Sequence, residues 1–159
     1  MKKKDPSAKA HMPRVRVAAI ILQDDKILLA KHKKAGQTYW VPPGGGVDFG
    51  ESLEDALQRE LFEEADVHIR VGQLVMVHDS IPPDLHRHIV NIFFMAEIVS
   101  GEVKVGTDDK RLVGMKFVSL NKIPKIRLYP DVRAELMDIA QGKFADMPRY
   151  LGNLWRDPE

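Results

Sequence analysis

Apolar residues fall into five runs along the chain, and each run predicts a β-strand. The run VRVAAIILQ at 15–23 is almost continuously apolar and rich in β-branched residues, which is typical of a buried strand. A turn at DDK separates it from the next run, so these two strands are predicted to form a hairpin. The strongly apolar run HIVNIFFMAEIV predicts a central strand of a sheet. The five predicted strands cover residues 15–23, 26–33, 69–80, 88–99 and 114–120.

Between the second and third predicted strands the pattern changes to a helical period. From Ser52 onward, apolar residues recur every three or four positions until a break at 66–68. Ser52 is the predicted N-cap, and Asp55 follows three residues later, as in a capping box. A second helix is predicted over 131–141, with Gly142 as its stop signal. Strands on both sides of one helix, with another helix near the end, indicate an α/β domain with a mixed sheet.

The first helix carries acidic residues beside its apolar stripe. On a helical wheel Glu64 lies inside that stripe, Glu60 lies at its edge and Glu63 lies a little further round. A solvated acidic surface is one interpretation. Carboxylates directed toward a protein interior are costly unless they are paired or bound to metal, and the i, i+3, i+4 spacing brings them together. The second interpretation is therefore a site for a hard divalent cation such as Mg²⁺ or Mn²⁺. The stripe consists of Leu53, Ala56, Leu57, Leu61 and Ala65.

A glycine-rich segment precedes the helix. Residues 34–40 are predicted as a loop, and PPGGGVDFGE then places four glycines within seven positions: Gly44, Gly45, Gly46 and Gly50. A tight connection between a strand and a helix would explain one or two of them. Because glycine lets the backbone approach a ligand closely, Gly44, Gly45 and Gly46 are also predicted to contact the bound cofactor or nucleotide. The segment lacks the Gly-Lys-Ser/Thr ending of a Walker-type phosphate loop.

Composition narrows the classes of protein. A chain of 159 residues with 44% hydrophobic residues suits one globular domain, which we place at 13–159. Residues 1–12 are basic and polar and are predicted to be a disordered lead-in. The formal net charge of +1 argues against a dedicated nucleic-acid or membrane binder. The absence of cysteine excludes disulfides, thiolate metal sites and a cysteine nucleophile, and it fits a cytoplasmic protein.

The segment GGGVDFGESLEDALQRELFEEADV resembles the Nudix box, whose pattern is G-x5-E-x7-R-E-U-x-E-E-x-G-U, where U is a bulky apolar residue. Eight of the nine fixed positions agree, and the exception is Asp66, where the pattern has glycine. Asp can adopt the left-handed conformation that ends a helix, so we expect a small loss of stability and retained activity. The matching residues are Gly45, Glu51, Arg59, Glu60, Leu61, Glu63, Glu64 and Val67.

The resemblance implies a Nudix-type αβα sandwich and hydrolysis, with Mg²⁺ or Mn²⁺, of a nucleoside diphosphate linked to another group. By position, Glu60, Glu63 and Glu64 would be metal ligands, and Glu60 is also a candidate base. Glu51, on the loop, would bind the metal or act as a polarising group. Arg59 would orient Glu60 or its neighbours. The alternative is a Nudix module that binds nucleotides without turnover.

The resemblance leaves several residues to be assigned. A further acid outside the box is common in the family, and Glu97, Asp108 and Asp109 are candidates. Other side chains could hold the substrate, although each also has an ordinary core or surface interpretation. The candidates for the substrate are the aromatic residues Tyr39, Phe49 and Tyr129 and the basic residues Lys31, Lys33, Lys34, Arg87 and Arg111. The pair His86 and His88 is a candidate for binding a metal.

The substrate stays open among a nucleoside triphosphate, an oxidised nucleotide and a nucleotide sugar such as ADP-ribose. Pro83, sixteen residues after Val67, stands near a position that the family associates with ADP-ribose pyrophosphatases, but a loop proline is the simpler interpretation. We expect a small-molecule nucleotide as partner, no membrane and no nucleic acid. Removal of pyrophosphate from RNA 5′ ends would need a basic channel, and a homodimer stays open.

Overall fold

The computed structural model describes residues 11–107 and 109–156. Nine strands, two α-helices and a 3-10 helix make up this part of the chain. Their bounds are β1 Arg14–Ile20, β2 Leu22–Gln23, β3 Lys26–Lys34, β4 Gln37–Val41, β5 Gly44–Gly46, α1 Leu53–Ala65, β6 Val67–Ser80, β7 Ile89–Gly101, β8 Leu112–Ser119, the 3-10 helix Leu120–Lys125, α2 Arg133–Ala140 and β9 Arg149–Asn153.

The strands form two sheets. The larger sheet has the order β5-β1-β7-β6-β9, with β1–β7 and β6–β9 parallel and the other pairs antiparallel. The smaller sheet is built around β3, which pairs with β2, β4 and β8. The predicted mixed sheet is therefore confirmed, and β7 lies at its centre as its apolar sequence indicated.

One local prediction holds only in part, and another was wrong. Strand β1 pairs with β5 and β7, and only Leu22–Gln23 pairs with Lys26 and Ile27. The expected hairpin is thus reduced to a short pairing, because the chain passes from one sheet to the other near Ile21. The segment expected to be a loop at 34–40 contains most of β4, whose polar Gln37 and Thr38 are exposed.

The predicted helices are both present, with α1 matching closely at its ends. Ser52 caps α1 by accepting a hydrogen bond from the Asp55 backbone N–H at 3.0 Å. Asp66 ends it in the left-handed conformation (φ 57°, ψ 36°) and donates its backbone N–H to Phe62. The second helix is shorter than predicted, and Gly142 follows it with a φ of +74°.

The hydrophobic core has two parts, one on each side of the large sheet. Alternate residues of a strand point to opposite faces. Accordingly, Val17 of β1 packs with Leu57 and Leu61 of α1, whereas Ala18 packs with Leu136 of α2. The helices therefore cover opposite faces, which is the expected αβα sandwich. None of the helices in the described ranges is long and apolar enough to cross a membrane.

Strand β9 was missed by the sequence pattern. It follows α2 and pairs in parallel with β6. Arg149, at the start of β9, forms ion pairs with Asp138 and Asp146, each at 2.8 Å. Asn153, at the end of β9, forms two 3.0 Å hydrogen bonds with the backbone of Ile81. Polar contacts hold this edge strand, so its sequence lacks the apolar alternation that predicts strands.

Candidate functional site

A pocket of about 410 Å³ opens between α1 and the large sheet, beside the glycine strand β5 at the edge of that sheet. Such a volume is in the range of small-molecule sites. Acidic and basic side chains meet in it. The acids are Glu60, Glu63, Glu64 and Asp109, and the cations are Arg14, Arg16, Lys34, Arg87 and Arg111.

Arg59 organises the acidic side of the site. Its guanidinium donates to both carboxylate oxygens of Glu51 and to Glu60 Oε1, at 2.8 to 2.9 Å. Its Nη2 also donates to the Gly46 carbonyl at 2.9 Å, and Nη1 lies 3.3 Å from Glu63 Oε2. The hydrogen bonds from Arg59, with a further one from the Asp48 N–H, lower the pKa of Glu51 to about 2.

The Glu60 carboxylate lies directly against the glycine strand. A Cβ atom on Gly45 would stand 2.2 Å from Glu60 Cδ, a distance that real atoms do not adopt. Burial raises the pKa of Glu60 above its ordinary value, although the Arg59 hydrogen bond acts in the opposite direction. The glycine at this position therefore makes room for a carboxylate that is partly removed from water.

Glu64 is the acid that burial affects most strongly. Its Oε2 accepts a hydrogen bond from the Gly44 backbone N–H at 3.2 Å. Burial raises its pKa to about 7, and the attraction of Arg16 and the Gly44 hydrogen bond offset part of that effect. Desolvation of a carboxylate to this degree is typical of positions that bind a cation or carry out chemistry.

The carboxylates suit a hard divalent cation by their chemistry and place. Glu60, Glu63 and Glu64 line the same pocket and offer only oxygen atoms, which Mg²⁺ and Mn²⁺ prefer. Within the ranges that the structure describes, no three acidic or histidine side chains already converge as a metal site. Arg59 and the Gly44 N–H instead occupy oxygen atoms of these carboxylates.

The segment after β7 covers the end of the acidic helix. The Lys104 and Gly106 backbone N–H groups donate to the Ala65 and Glu64 carbonyls at 2.9 and 2.8 Å. A Cβ on Gly106 would stand 2.1 Å from the Glu63 carbonyl oxygen, so this glycine permits the close approach. The contact holds the backbone of the metal-site candidates. Its sequence signal, a lone glycine in a polar loop, was too weak to single out.

The fold places the candidate acids outside the Nudix box in different surroundings. Asp109 lines the pocket and accepts hydrogen bonds from Arg111 at 2.9 to 3.3 Å. Its burial opposes ionisation, but the Arg111 hydrogen bonds outweigh that effect and the pKa is lowered. Glu97 instead pairs with Arg70 and is well exposed. Asp108 lies outside the described residues.

Some of the residues proposed to hold a substrate reach the pocket and others do not. Tyr39, Tyr129, Lys34, Arg87 and Arg111 line it. The others lie elsewhere: Phe49 is fully exposed, Lys31 lies over the Trp40 ring at 5.6 Å, and Lys33 and Pro83 are exposed outside the pocket.

His86 and His88 do not form a metal pair in this arrangement. His86 hydrogen-bonds to Asp84 at 2.5 Å, and His88 hydrogen-bonds to Asp79 at 2.8 Å. The ordinary interpretation of both residues, as loop and strand side chains, therefore accounts for their contacts.

Several pocket residues on the large sheet were not singled out by the sequence. Arg16, Asn91 and His78 come from β1, β7 and β6, and all three line the pocket. The available signal was a single Asn inside the apolar run of β7, where Asn is disfavoured unless it has a specific role. Their common location depends on strand pairing, which the sequence does not reveal.

Comparison with known proteins agrees with the fold. The model of the NUDIX domain family matches residues 12–138. The ADP-ribose pyrophosphatase of Methanocaldococcus jannaschii is 37% identical over 115 residues, which cover 72% of this chain and 66% of that protein. The NAD-capped RNA hydrolase NudC of Photorhabdus laumondii is 29% identical over 118 residues, which cover 74% of this chain and 44% of that protein. The chain thus spans about two thirds of the first relative and less than half of the second.

A solved structure agrees as well. The MutT NUDIX hydrolase from Burkholderia pseudomallei superposes with a TM-score of 0.69 at 33% identity, covering 80% of this chain and 98% of that one. Because the family model covers most of the chain and the fold agrees, this protein belongs to the NUDIX domain family.

Proposed function

We propose that this protein hydrolyses a phosphoanhydride bond in a nucleoside diphosphate linked to another group, with Mg²⁺ or Mn²⁺ as cofactor. The observation that carries the proposal is a pocket that is lined both by desolvated carboxylates, Glu60 and Glu64, and by a set of arginines. A cation held by the carboxylates would neutralise part of the negative charge of a diphosphate, and the arginines would neutralise the rest.

The residues divide this work by position. Glu60, Glu63 and Glu64 would hold the cation, which supplies charge neutralisation and an activated water when bound. Arg59 orients Glu60 and Glu63, and Glu51 holds Arg59 in place. Asp109 is the acid outside the box that lies close enough to assist. Arg16 and Arg111 would bind the phosphate oxygens that the cation leaves free.

ADP-ribose is the first substrate to test. The relative with 37% identity is named an ADP-ribose pyrophosphatase. The pocket also contains Tyr39 and Tyr129, whose rings lie 6.3 Å apart and could contact a base or sugar. NAD, 8-oxo-dGTP, dGTP and ATP cover the other classes of substrate, and NAD-capped RNA tests the activity named for the second relative.

The test is release of phosphorylated products from this panel with Mg²⁺, with Mn²⁺ and with a chelator. Cleavage of at least one compound, abolished by the chelator, is the expected result. Glu60→Gln should lower turnover by about 10²- to 10⁴-fold if Glu60 acts as base. Glu64→Gln should weaken activation by the metal because one anionic ligand is lost.

Glu54→Gln is the matched control. Glu54 lies on the same helix but is exposed in its first turn, outside the pocket. This variant should retain wild-type turnover. Tight binding of a nucleotide by calorimetry without any cleavage across the panel would instead favour the non-catalytic module.

A further inference from the structure

The floor of the pocket contains a row of polar residues on three neighbouring strands. Arg16 of β1 is the pairing partner of Asn91 of β7, and Asn91 is the pairing partner of His78 of β6. Arg16 is also the partner of Gly46 in the glycine strand. The row therefore runs outward from the wall that holds the carboxylates, and neighbouring positions are about 5 Å apart.

Asn91 is a mostly buried residue whose side-chain amide reaches the pocket. Its exposed fraction is 6%, and it lies inside an apolar strand. In the described part of the chain its side-chain amide makes no hydrogen bond, and it lines the pocket. Its hydrogen-bonding groups are therefore left to water or to a molecule bound in the pocket. A ligand in the pocket would supply the missing partner.

His78 is buried beside it in a defined protonation state. It is 1% exposed, and its ring stacks on Phe93 with a centroid distance of 5.5 Å. Its Nδ1 lies 3.0 Å from the Asp79 carbonyl oxygen, which can only accept, so Nδ1 carries the proton. Burial lowers the pKa of His78, so the ring is neutral at pH 7. Nε2 is therefore an acceptor, and no described residue donates to it.

These two residues together require a donor from the ligand. The Nε2 of His78 is buried without a partner, and Asn91 is its neighbour on the next strand. Rotation of the Asn91 amide would let its NH₂ group donate to this acceptor and would turn its oxygen toward the pocket. That arrangement matches an uncharged N–H or O–H group of a ligand and leaves a ligand without one poorly bound.

We propose that Asn91, positioned by His78, forms the specificity contact of this pocket and accepts a hydrogen bond from an uncharged donor of the nucleotide, beside the phosphates. The donor is an N–H of the base or a hydroxyl of the sugar. The inference rests on the proposed function, because it takes the carboxylate wall as the site of the phosphates.

The experiment measures binding of AMP, GMP, CMP, UMP and ribose 5-phosphate to the protein by calorimetry in Mg²⁺. Asn91→Leu keeps the side chain's size and removes both hydrogen-bonding groups. We expect it to weaken the ligand that the wild type binds best by about tenfold. A loss confined to nucleotides identifies a base N–H, and a loss shared with ribose 5-phosphate identifies a sugar hydroxyl.

His78 provides the matched pair of variants. His78→Phe keeps an aromatic ring against Phe93 and removes the acceptor, whereas His78→Gln places an amide oxygen near the position of Nε2. The first should weaken binding like Asn91→Leu, and the second should retain most of the wild-type affinity.

Thermal stability separates a ligand contact from a structural role. Since no described residue hydrogen-bonds to the Asn91 side chain, Asn91→Leu removes no contact of the fold, and its melting temperature should equal or exceed that of the wild type. A large fall in melting temperature, unchanged binding in this variant, or no binding of any of the five probes to the wild type would overturn the proposal. Turnover in the substrate panel is judged separately, so selective binding without cleavage would reject the proposed function alone.

Discussion

Arg59 binds Glu51 through two parallel hydrogen bonds, from Nε to Oε2 at 2.8 Å and from Nη2 to Oε1 at 2.9 Å. Both oxygens of Glu51 are thus occupied by the guanidinium, and the same group reaches Glu60 through Nη1. Glu51 was proposed as a metal ligand or polarising group from its place in the sequence. This geometry favours a different task, which is to fix Arg59 so that Arg59 can fix Glu60.

The first prediction concerns the shape of that guanidinium. Arg59→Lys keeps the positive charge but cannot make parallel hydrogen bonds to Glu51 while also reaching Glu60. We expect folding to be retained and kcat to fall by about tenfold or more, because Glu60 loses its fixed orientation. Steady-state kinetics on the cleaved substrate provides the measurement. Arg70→Lys is the control, since Arg70 forms an exposed ion pair with Glu97. Equal activity of the two variants would contradict the orienting role.

The second prediction concerns Glu64 in the metal-free protein. Burial raises its pKa from 4.5 to about 7, so the folded state holds a proton that the unfolded state has released across that window. The stabilisation of the folded state by this proton is fully present below pH 4.5 and is lost as the pH rises through 7. The pKa difference corresponds to about 3 kcal/mol as an upper figure.

Glu64→Gln tests this contribution because glutamine stays neutral and can still accept from the Gly44 N–H. In the presence of a chelator, the free energy of unfolding of this variant should exceed that of the wild type at pH 8. The difference should shrink toward pH 5. Urea unfolding at several pH values measures it, with Glu54→Gln as the exposed control. Parallel pH curves for Glu64→Gln and the wild type would show that Glu64 is not desolvated as described.

Local features of the site were predictable from the sequence because their geometry is local. The Ser52 cap, the apolar face of α1 and the common side of Glu60 and Glu64 all follow from helical spacing over a few residues. The left-handed conformation of Asp66 also follows, since that position ends the helix. In each case the chain positions involved lie within one or two helical turns of each other.

The remainder of the pocket depends on distant pairings. Arg16 meets Asn91 across 75 positions of sequence, only because β1 pairs in parallel with β7. A shift of one residue in that register would turn Asn91 to the opposite face. The sequence carries the identity of such residues but not their register. For the same reason Asp109 could not be chosen over Glu97 until the fold had placed one in the pocket and the other on the surface.

The third prediction concerns the end of α1. Asp66 has a φ of 57°, a conformation that costs a residue with a Cβ about 1–2 kcal/mol. Its exposed ion pair with Lys104, at 3.8 Å, contributes little. Asp66→Gly should therefore raise the free energy of unfolding by about 0.5–1 kcal/mol and leave turnover within about twofold. Asp66→Ala should be the least stable of the three proteins. Denaturant unfolding checks this order, and an Asp66→Gly protein less stable than Asp66→Ala would contradict it.

The last prediction uses the glycine strand to move Glu60 without changing its chemistry. A Cβ on Gly45 would stand 2.2 Å from Glu60 Cδ, whereas a Cβ on Gly46 would meet only Arg14 Nη2 at 3.3 Å. Gly45→Ala must therefore displace the Glu60 carboxylate, and a displacement of about 1 Å can lower turnover by about 10²-fold. Gly46→Ala is the control and should stay within a few-fold of the wild type, because a flexible side chain can yield. Kinetics, with circular dichroism to confirm folding, distinguishes the two variants. If Gly45→Ala turned over substrate as fast as Gly46→Ala, the position of Glu60 against the glycine strand would have no part in catalysis.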